Sequence, residues 1–323
     1  MPVVDLKLGV GMMPIGMTRE DVVEAAILAD RSGYDLFSTG EGWTYDGTVM
    51  LTEVALKTER IRVCSNILSV YGRSAATMAM AAATLQDVAD GRYILGLGAS
   101  TAALAEGFHD QDYSAPYSLL EHHLSHTRAL LAGGRAPIEG RGERSLQLGI
   151  EPRATPIWAA GMGPRSRRLI GRSADGWLPV LTPPDVLRQQ GEEMTADREL
   201  DTDLEVAPMI MVVVRDTEDS ARRAAAEWFT MYATRMGDFY PRHIRAMGYG
   251  DAVDALRDKP NDPDHPAVER LLDQVGVVGT PDTIRARLQP WIGDGIDLPK
   301  VAIQPYATRE QIMTTIEALA PGG

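Results

Sequence analysis

Two glycine-rich turns are the segments of this chain best suited to hold a phosphate group. One turn is Gly96-Leu97-Gly98-Ala99-Ser100, and the other is Gly161-Met162-Gly163-Pro164; each follows a predicted strand. Glycine lacks the Cβ atom that would keep a phosphate away from backbone N–H groups, and a helix N-terminus adds a favourable dipole. The two turns therefore predict two halves of one phosphate cup. Because Thr101 and Ser166 replace the third glycine of the dinucleotide fingerprint, tight turns with a purely structural role are the alternative.

A carboxylate and two aromatic side chains occupy residues 40–46, directly after the second predicted strand. In a barrel of alternating strands and helices, the loops after the strands form the catalytic face. Glu41 is therefore the candidate catalytic residue, and Trp43 is the candidate substrate-binding residue. An ordinary polar loop is the alternative, since loops routinely carry such residues.

The histidines and the cysteine do not predict a reactive centre. His122 and His126 are four residues apart on a predicted helix, a spacing that can bind a metal, but the HExxH pattern is missing. We therefore expect a solvated helix face there and no metal. The chain has no Gly-x-Ser-x-Gly motif, and its single cysteine, Cys64, lies in a predicted strand, where a buried apolar role is expected.

Eight predicted strands, nearly all separated by helices, position these groups. They cover residues 6–10, 34–38, 61–68, 92–98, 156–160, 177–180, 206–214 and 299–304. Such alternation gives parallel strands with right-handed crossovers, and eight strands can close a barrel. We therefore expect an α/β fold, a (β/α)8 TIM barrel in one domain of residues 1–323, with insertions at residues 101–148 and 221–279. An open doubly wound sheet is the alternative.

Composition and charge restrict the partners. The chain has 323 residues, of which 44% are hydrophobic and 24% charged, and a net charge of −13. Such an acidic protein is a poor general binder of nucleic acid or anionic membranes, so a small-molecule substrate is expected. A single cysteine favours a reducing compartment, and the sequence shows neither a signal peptide nor a long apolar span, so we expect a cytoplasmic protein.

The predicted helix at residues 74–89 is small and apolar on nearly every side. An outer barrel helix of this kind needs a cover, and small residues allow another backbone to approach closely. These features predict a homodimer that forms through this helix.

Taken in order, several of these segments resemble the bacterial luciferase-like superfamily of flavin and deazaflavin enzymes. The resembling segments are residues 39–42, 74–85, 91–98, 156–164, 174–177 and 278–282. Within the superfamily, the chain is most similar to oxidoreductases that use coenzyme F420, including those that resemble methylene-tetrahydromethanopterin reductase. The resemblance implies a (β/α)8 barrel with the cofactor ring at its carboxyl-terminal mouth and the cofactor phosphate in a backbone cup.

The resemblance also assigns individual residues to the cofactor. The cofactor-binding set that it implies is Asn66, Ile67, Gly98, Ala99, Ser100, Ala160, Gly161, Met162, Gly163 and Pro164. The Asn66–Ile67 bond matches a non-proline cis peptide that family members often have behind the ring. Glu41 falls where many relatives have an acid or a histidine beside the ring. Thr101 stands where some relatives place a carboxylate proton donor, and Gly40 and Glu41 stand where others pair Asp with His, so the resemblance does not assign the acid or base.

We therefore expect hydride transfer between F420 and a small organic substrate, in which the cofactor carries the chemistry and the protein orients it and excludes water. The alternative within the fold is an FMN-dependent luciferase-like monooxygenase, because Arg165 or Arg168 could pair with the FMN phosphate. The alternative from another class is a cofactor-free barrel or a small-molecule binding protein, since a fold alone does not fix a function.

Overall fold

The computed structural model describes residues 7–151, 153–196 and 198–321. Leu6, the first residue of the first predicted strand, lies outside them. The strands are β1 (Gly9–Met12), β2 (Leu36–Thr39), β3 (Arg62–Ser65), β4 (Leu68–Ser69), β5 (Tyr93–Gly98), β6 (Ile157–Ala160), β7 (Gly176–Trp177), β8 (Glu205–Val206), β9 (Met209–Val214), β10 (Gly276–Gly279) and β11 (Lys300–Ile303).

The helices follow the strands in the expected alternation. They are α1 (Arg19–Arg31), α2 (Gly47–Lys57), α3 (Ala75–Val88), α4 (Ala102–Gly107), α5 (Pro116–Leu131), α6 (Pro164–Ser173), α7 (Pro184–Thr195), α8 (Glu218–Thr234), α9 (Phe239–Ala246), α10 (Gly250–Asp258), α11 (Pro266–Val275), α12 (Ile284–Leu288) and α13 (Arg309–Ala318). None of the helices described in these three stretches is both long and apolar enough to cross a membrane.

The strands pair in the order β10-β9-β11-β1-β2-β3-β5-β6-β7-β8, and β4 also pairs with β5. β8 and β9 belong to one extended segment, residues 205–214, which Pro208 interrupts. The first part of this segment pairs in parallel with β7, and the second part pairs in parallel with β11. The segment therefore joins the two ends of the sheet, and the eight predicted strands form the ring of a TIM barrel.

β10 was not among the predicted strands. It pairs in parallel with β9 and lies at the end of the second expected insertion, residues 221–279. This insertion contains α8 to α11 and has an apolar cluster of its own, with Trp228, Phe229 and Leu271 in it. Met211 and Val213 of β9 belong to the same cluster, so the insertion packs directly on the barrel wall.

The first expected insertion, residues 101–148, is only partly an insertion. Its helix α5 packs against α3 and α6, which is the position of a regular barrel helix between β5 and β6. The additional material is α4, before this helix, and the stretch from residue 132 to β6, which is mostly irregular. The prediction of an insertion with its own helices was therefore wrong for α5, because the interval between the strands is long enough to hold both a barrel helix and a loop.

Local signals fix several helix boundaries where the sequence predicted them. Thr18 caps α1, and its side chain accepts a hydrogen bond from the Asp21 N–H. Ser74 caps α3 in the same way through the Thr77 N–H. Gly33, after α1, has a φ of 88°, the left-handed conformation that glycine adopts without a steric penalty.

Side chains fill the interior of the barrel and form a small apolar cluster. This cluster is separate from the larger apolar layer between the strands and the helices. Its members include Leu36, Cys64, Trp158 and Leu298, and all of them are buried. Cys64 is fully buried, as predicted. Among the described residues, side chains therefore fill the barrel interior, and in this fold ligands bind above the strands at one end.

Candidate active site

A cavity of about 380 Å³ opens at the carboxyl ends of β3, β5 and β6. We call it the ring cavity. Ten of the predicted site residues line it, and these are Glu41, Trp43, Asn66, Ile67, Ala99, Ser100, Ala160, Gly161, Met162 and Gly163. Segments that are far apart in the sequence thus meet at the end of the barrel where TIM-barrel enzymes place their active sites.

Two predicted residues, Gly98 and Pro164, do not line the ring cavity. Gly98 is enclosed by protein, because a Cβ atom there would lie 3.2 Å from the Ala160 Cβ and 3.3 Å from the Ile67 Cδ1. Pro164 is the first residue of α6, where its missing N–H removes no hydrogen bond from the helix. Both residues shape the backbone next to the cavity, but they do not form its wall.

The two glycine turns face the ring cavity, and we call residues 99–100 and 160–163 the cup. That the cup holds a phosphate stays a prediction. Among the residues that the structure describes, no hydrogen-bond acceptor is found for the backbone N–H groups of Ser100, Met162 and Gly163. The cup also borders the N-terminus of α6, whose dipole favours an anion. N–H donors without partners beside a helix N-terminus fit a phosphate group.

The two glycines of the second turn are needed for different reasons. A Cβ atom on Gly161 would lie only 2.7 Å from the Cβ of Ser166 in α6, so glycine is required there for packing. A Cβ atom on Gly163 would meet nothing within 4 Å and would project into open space. The tight-turn explanation therefore accounts for Gly161, whereas Gly163 leaves free the volume that a ligand next to its N–H group would use.

The peptide bond between Asn66 and Ile67 is cis, as the family resemblance implied. The Ile67 carbonyl accepts a hydrogen bond of 3.2 Å from the Glu41 N–H, and the Asn66 side chain contacts Met209 Sδ at 2.8 Å. These contacts connect the loop after β2 to the segment after β3. The two residues form part of the floor of the ring cavity.

Glu41 lies at the edge of the ring cavity, and both of its carboxylate oxygens have partners within the protein. Oε1 accepts a hydrogen bond of 3.0 Å from the Gly47 N–H, and Oε2 pairs with Arg73. Arg73 also pairs with Asp46 at 2.7 Å. Burial disfavours the charged guanidinium of Arg73, but Glu41 and Asp46 outweigh it and raise its pKa. This arrangement holds the loop after β2 in place, and a proton-transfer role for Glu41 stays a prediction.

Sequence reasoning missed an aromatic wall of the ring cavity. Tyr113 lies between α4 and α5, Tyr117 lies on α5, and the second insertion contributes Tyr232, Phe239 and Tyr240. The Tyr232 and Tyr240 rings pack edge to face, with centroids 4.7 Å apart. Burial raises the pKa of Tyr113 and of Tyr240 to about 12, so both phenols keep their protons at neutral pH. The one signal for this wall is the concentration of aromatics at residues 228–240 in a chain with only 6% aromatic residues.

The residues considered for metal binding are arranged differently. The rings of His122 and His126 stack with centroids 3.8 Å apart on α5. Burial lowers the pKa of His122, and the neighbouring His126 and His123 add to the effect. Across residues 7–151, 153–196 and 198–321, no group of three His, Cys, Asp or Glu side chains is arranged to hold a metal ion.

Comparison with known proteins places this geometry in a family. Residues 6–298 match the model of the luciferase-like monooxygenase family, and the chain belongs to that family. It is 26% identical over 306 residues to a Mycobacterium tuberculosis protein assigned to the coenzyme F420-dependent oxidoreductases, with 85% of this chain and 88% of the relative covered.

Two further proteins support the fold and the family. The 5,10-methylenetetrahydromethanopterin reductase of Archaeoglobus fulgidus is 25% identical over 301 residues, covering 88% of this chain and 89% of the relative. The structure of the coenzyme F420-dependent tetrahydromethanopterin reductase of Methanopyrus kandleri superposes with a TM-score of 0.77 at 18% identity, with 99% of each chain covered. The barrel and its insertions thus follow an architecture that is known from this family.

Proposed function

We propose that this protein is an oxidoreductase that transfers a hydride between coenzyme F420 and a small organic substrate. The observation that carries the proposal is the cup beside an apolar cavity, in which the N–H groups of Ser100, Met162 and Gly163 have no acceptor among the described residues. The name of the Mycobacterium tuberculosis relative, 88% of which is covered, supports the same cofactor. A deazaflavin supplies hydride transfer at its ring when it is bound.

The residues present fit such a cofactor. The cup offers N–H donors to a phosphate, and the cis Asn66–Ile67 segment lies on the floor of the adjoining cavity. Met13, Leu104 and Leu178 add apolar surface to its wall, which suits a flat ring system and excludes water. We infer that Tyr232 and Tyr240, as protonated phenols at the same cavity, donate hydrogen bonds to a substrate oxygen, and that Trp43 contacts the substrate at the cavity mouth.

FMN is the second candidate cofactor, because the matching family model is described as a luciferase-like monooxygenase. The arginines expected to favour FMN are Arg165 and Arg168. Arg165 lies over the Tyr117 ring at 3.7 Å and is held there by a cation–π contact, while Arg168 is exposed. Neither arginine makes a described ion pair, so both keep their charge for an FMN phosphate. Their positions therefore do not favour F420 over FMN, and parallel titration decides between the two cofactors.

Parallel titration of the purified protein with F420 and with FMN tests the proposal. We expect saturable F420 binding, weaker FMN binding, and single-turnover reduction or oxidation of F420 once a substrate is supplied. Oxygen-dependent turnover with reduced FMN, together with no F420 binding, would contradict the proposal. Absence of saturable binding of both cofactors would instead support the cofactor-free alternative.

We also propose that the protein forms a homodimer through α3 and the adjoining α2. Within the chain, α2 and α5 cover part of α3, so the remaining exposed face is narrower than the sequence predicted. Val49 and Leu56 on α2 and Met80 on α3 are largely exposed apolar side chains on this side of the barrel. A partner subunit that covered them would remove apolar surface from water.

Light scattering at micromolar concentration tests the assembly. The wild-type protein should be a dimer, and Met80→Asp should shift it towards the monomer because a buried, unpaired carboxylate is costly. Leu146→Asp is the matched control, since Leu146 is also exposed but lies in the irregular stretch after α5. A monomeric wild-type protein would contradict the proposal.

A further inference from the structure

A second cavity, of about 710 Å³, opens beside the ring cavity at the same end of the barrel. Its wall includes residues that directly follow β9 and β11, side chains on α8, and residues of three loops. We call it the arginine cavity, after Arg215, Arg223 and Arg235 in its lining. Trp43 and Met236 line both cavities, so the two spaces are neighbours and a single ligand of moderate size can reach from one into the other.

The arginine cavity is positively charged in a protein whose net charge is −13. Glu227 is the one acidic residue among the side chains that line it, against the three arginines. A cavity lined by charges of one sign between low-dielectric walls concentrates ligands of the opposite sign. Its chemistry therefore suits an anion.

Arg215 is fixed so that its guanidinium stays in this cavity. It donates hydrogen bonds to the Val214 carbonyl at 2.7 Å and to Gln304 Oε1 at 2.6 Å. The Gln304 side chain is itself held, because its Nε2 donates to the Ala224 carbonyl at 3.0 Å. Burial lowers the pKa of Arg215, although the acidic groups of Glu227 and Asp216 oppose this. A half-buried guanidinium with five N–H groups, only two of them shown bonded, has donors left for a ligand.

The arginines of the cavity differ from their neighbours in their ion pairs. Arg222, the residue before Arg223 on α8, pairs with Asp273 at 2.9 Å and with Glu269 at 3.1 Å. In the part of the chain that the structure describes, no such carboxylate partner is found for any of the three cavity arginines. Arg222, which faces α11, is thus neutralised by the protein, while the arginines at the cavity are available to a ligand.

We propose that the arginine cavity binds the phosphate or carboxylate group of the organic substrate, with Arg215 as the fixed contact and Arg223 and Arg235 at the rim. Bidentate pairing with an oxyanion is the geometry to which a guanidinium is best suited. The substrate then extends past Trp43 and Met236 into the ring cavity. This assignment of substrate class rests on the proposed function of the ring cavity, but oxyanion binding itself can be measured without any cofactor.

Calorimetric titration with inorganic phosphate tests the site in the purified protein. We expect saturable binding that weakens at least about tenfold in Arg215→Gln, because a charged hydrogen-bond partner is lost. Binding should also weaken as sodium chloride is added. Arg222→Gln, on α8 and outside the cavity lining, is the control and should bind phosphate like the wild type. Thermal unfolding should show that both variants are folded.

Inorganic phosphate could also bind in the cup. The variant Gly163→Val, which changes the cup and not the arginine cavity, is therefore titrated with phosphate as well. The inference requires a phosphate site that Arg215→Gln weakens and Gly163→Val leaves intact. If wild-type binding is lost in Gly163→Val but unchanged in Arg215→Gln, or if the wild-type protein binds no phosphate, the inference is overturned.

A second set of titrations determines whether the anionic group that binds Arg215 belongs to the substrate or to the cofactor. Wild type and Arg215→Gln are each titrated with F420 and with its deazaflavin head group, which lacks the phosphate and the acidic tail. Equal F420 affinity in the wild type and in Arg215→Gln supports the substrate as the source. If Arg215→Gln weakens the binding of F420 but not that of the head group, the cavity binds the cofactor tail and the substrate assignment is overturned. A wild-type protein that binds phosphate but not F420 would refute the proposed function while leaving the oxyanion site standing.

Discussion

The two ends of the barrel differ in how their polar groups are used. At the amino-terminal end, Arg62 pairs with Glu205 at 2.8 Å, and Lys300 lies fully buried below them beside Trp158. At the carboxyl-terminal end, N–H groups and arginines face two open cavities. Arg62 and Glu205 line a surface cleft of about 510 Å³ but pair with each other, and Lys300 is sealed among side chains. At the carboxyl-terminal end, which we call the open end, no acceptor is described for the N–H groups of the cup and no carboxylate partner for the cavity arginines. The difference agrees with the general division of TIM barrels into a stabilising end and a functional end.

Lys300→Met should give the largest effect on stability and none on cofactor binding. Burial lowers the pKa of Lys300 to about 8, although Cys64 and Glu205 nearby oppose this, and the Nζ has no described hydrogen-bond partner. Relative to the ordinary lysine pKa, this corresponds to about 3 kcal/mol of lost stability. Methionine has a similar length and no charge, so the free energy of unfolding at pH 7 should rise by roughly that amount.

The same variant makes a prediction about pH. The pKa of Lys300 is lower in the folded protein than in the unfolded chain. The loss of stability is therefore complete below pH 8 and disappears as the pH rises towards the pKa of lysine in the unfolded chain. Wild-type stability should therefore increase over this window relative to Lys300→Met, as measured by urea unfolding. Lys7→Met is the control, because Lys7 is exposed at the same end. A less stable Lys300→Met variant at pH 7 would show that the lysine contributes a favourable interaction.

Gly163→Val should do the opposite at the open end, weakening cofactor binding with little effect on stability. A Cβ there meets no protein atom within 4 Å, and its φ of −68° is one that valine adopts. If the new side chain displaces the phosphate from one N–H group, the loss is roughly 1.5–3 kcal/mol, or about ten- to hundredfold in F420 affinity. Gly149→Val, also open to solvent, is the control. Unchanged F420 affinity would mean that the phosphate does not use this turn.

Glu41→Gln tests whether Glu41 only holds the loop after β2 in place or also transfers a proton. Because both carboxylate oxygens are bonded within the protein, we expect a loss of about 1–3 kcal/mol in unfolding free energy from the broken pairing with Arg73. If Glu41 also transfers a proton, as the sequence predicts, one limb of the pH profile of turnover disappears in this variant. A profile that keeps both limbs would limit Glu41 to holding the loop after β2 in place.

A smaller effect should appear at Cys64, inside the barrel. Burial raises the pKa of its thiol to about 12, and its side chain is fully enclosed. Alkylation by iodoacetamide should therefore be negligible in the folded protein at pH 8 and complete after unfolding in urea. Rapid labelling of the folded protein would show that the barrel interior opens to solvent.

The fold was largely predictable because its determinants are local. Alternating strands and helices indicate a barrel, and residues such as Ser74 and Gly33 mark helix boundaries through hydrogen bonds and backbone angles that act within a few residues. The position of the two glycine turns at the cavity was predictable for the same reason, since each turn is short and local, whereas phosphate binding there stays a prediction. The resemblance to a known family added the Asn66–Ile67 cis bond, which no local pattern indicates.

The parts that sequence reasoning missed depend on contacts between distant segments. Tyr113 and Tyr240 meet over the same cavity only after the two insertions have packed on the barrel. Lys300 lies in a strand whose pattern does not reveal burial of the charge. That Arg215 has no carboxylate partner among the described residues becomes visible only when the neighbours of every arginine are known. The ion pair of Glu41 with Arg73 likewise joins segments that are distant in the sequence.

A crystal structure of the protein with F420 tests the central claim most directly. The account predicts the cofactor phosphate within hydrogen-bond distance of the Ser100, Met162 and Gly163 N–H groups, with the ring in the apolar cavity over Asn66 and Ile67. A phosphate bound at Arg215, with the cup left to water, would contradict it.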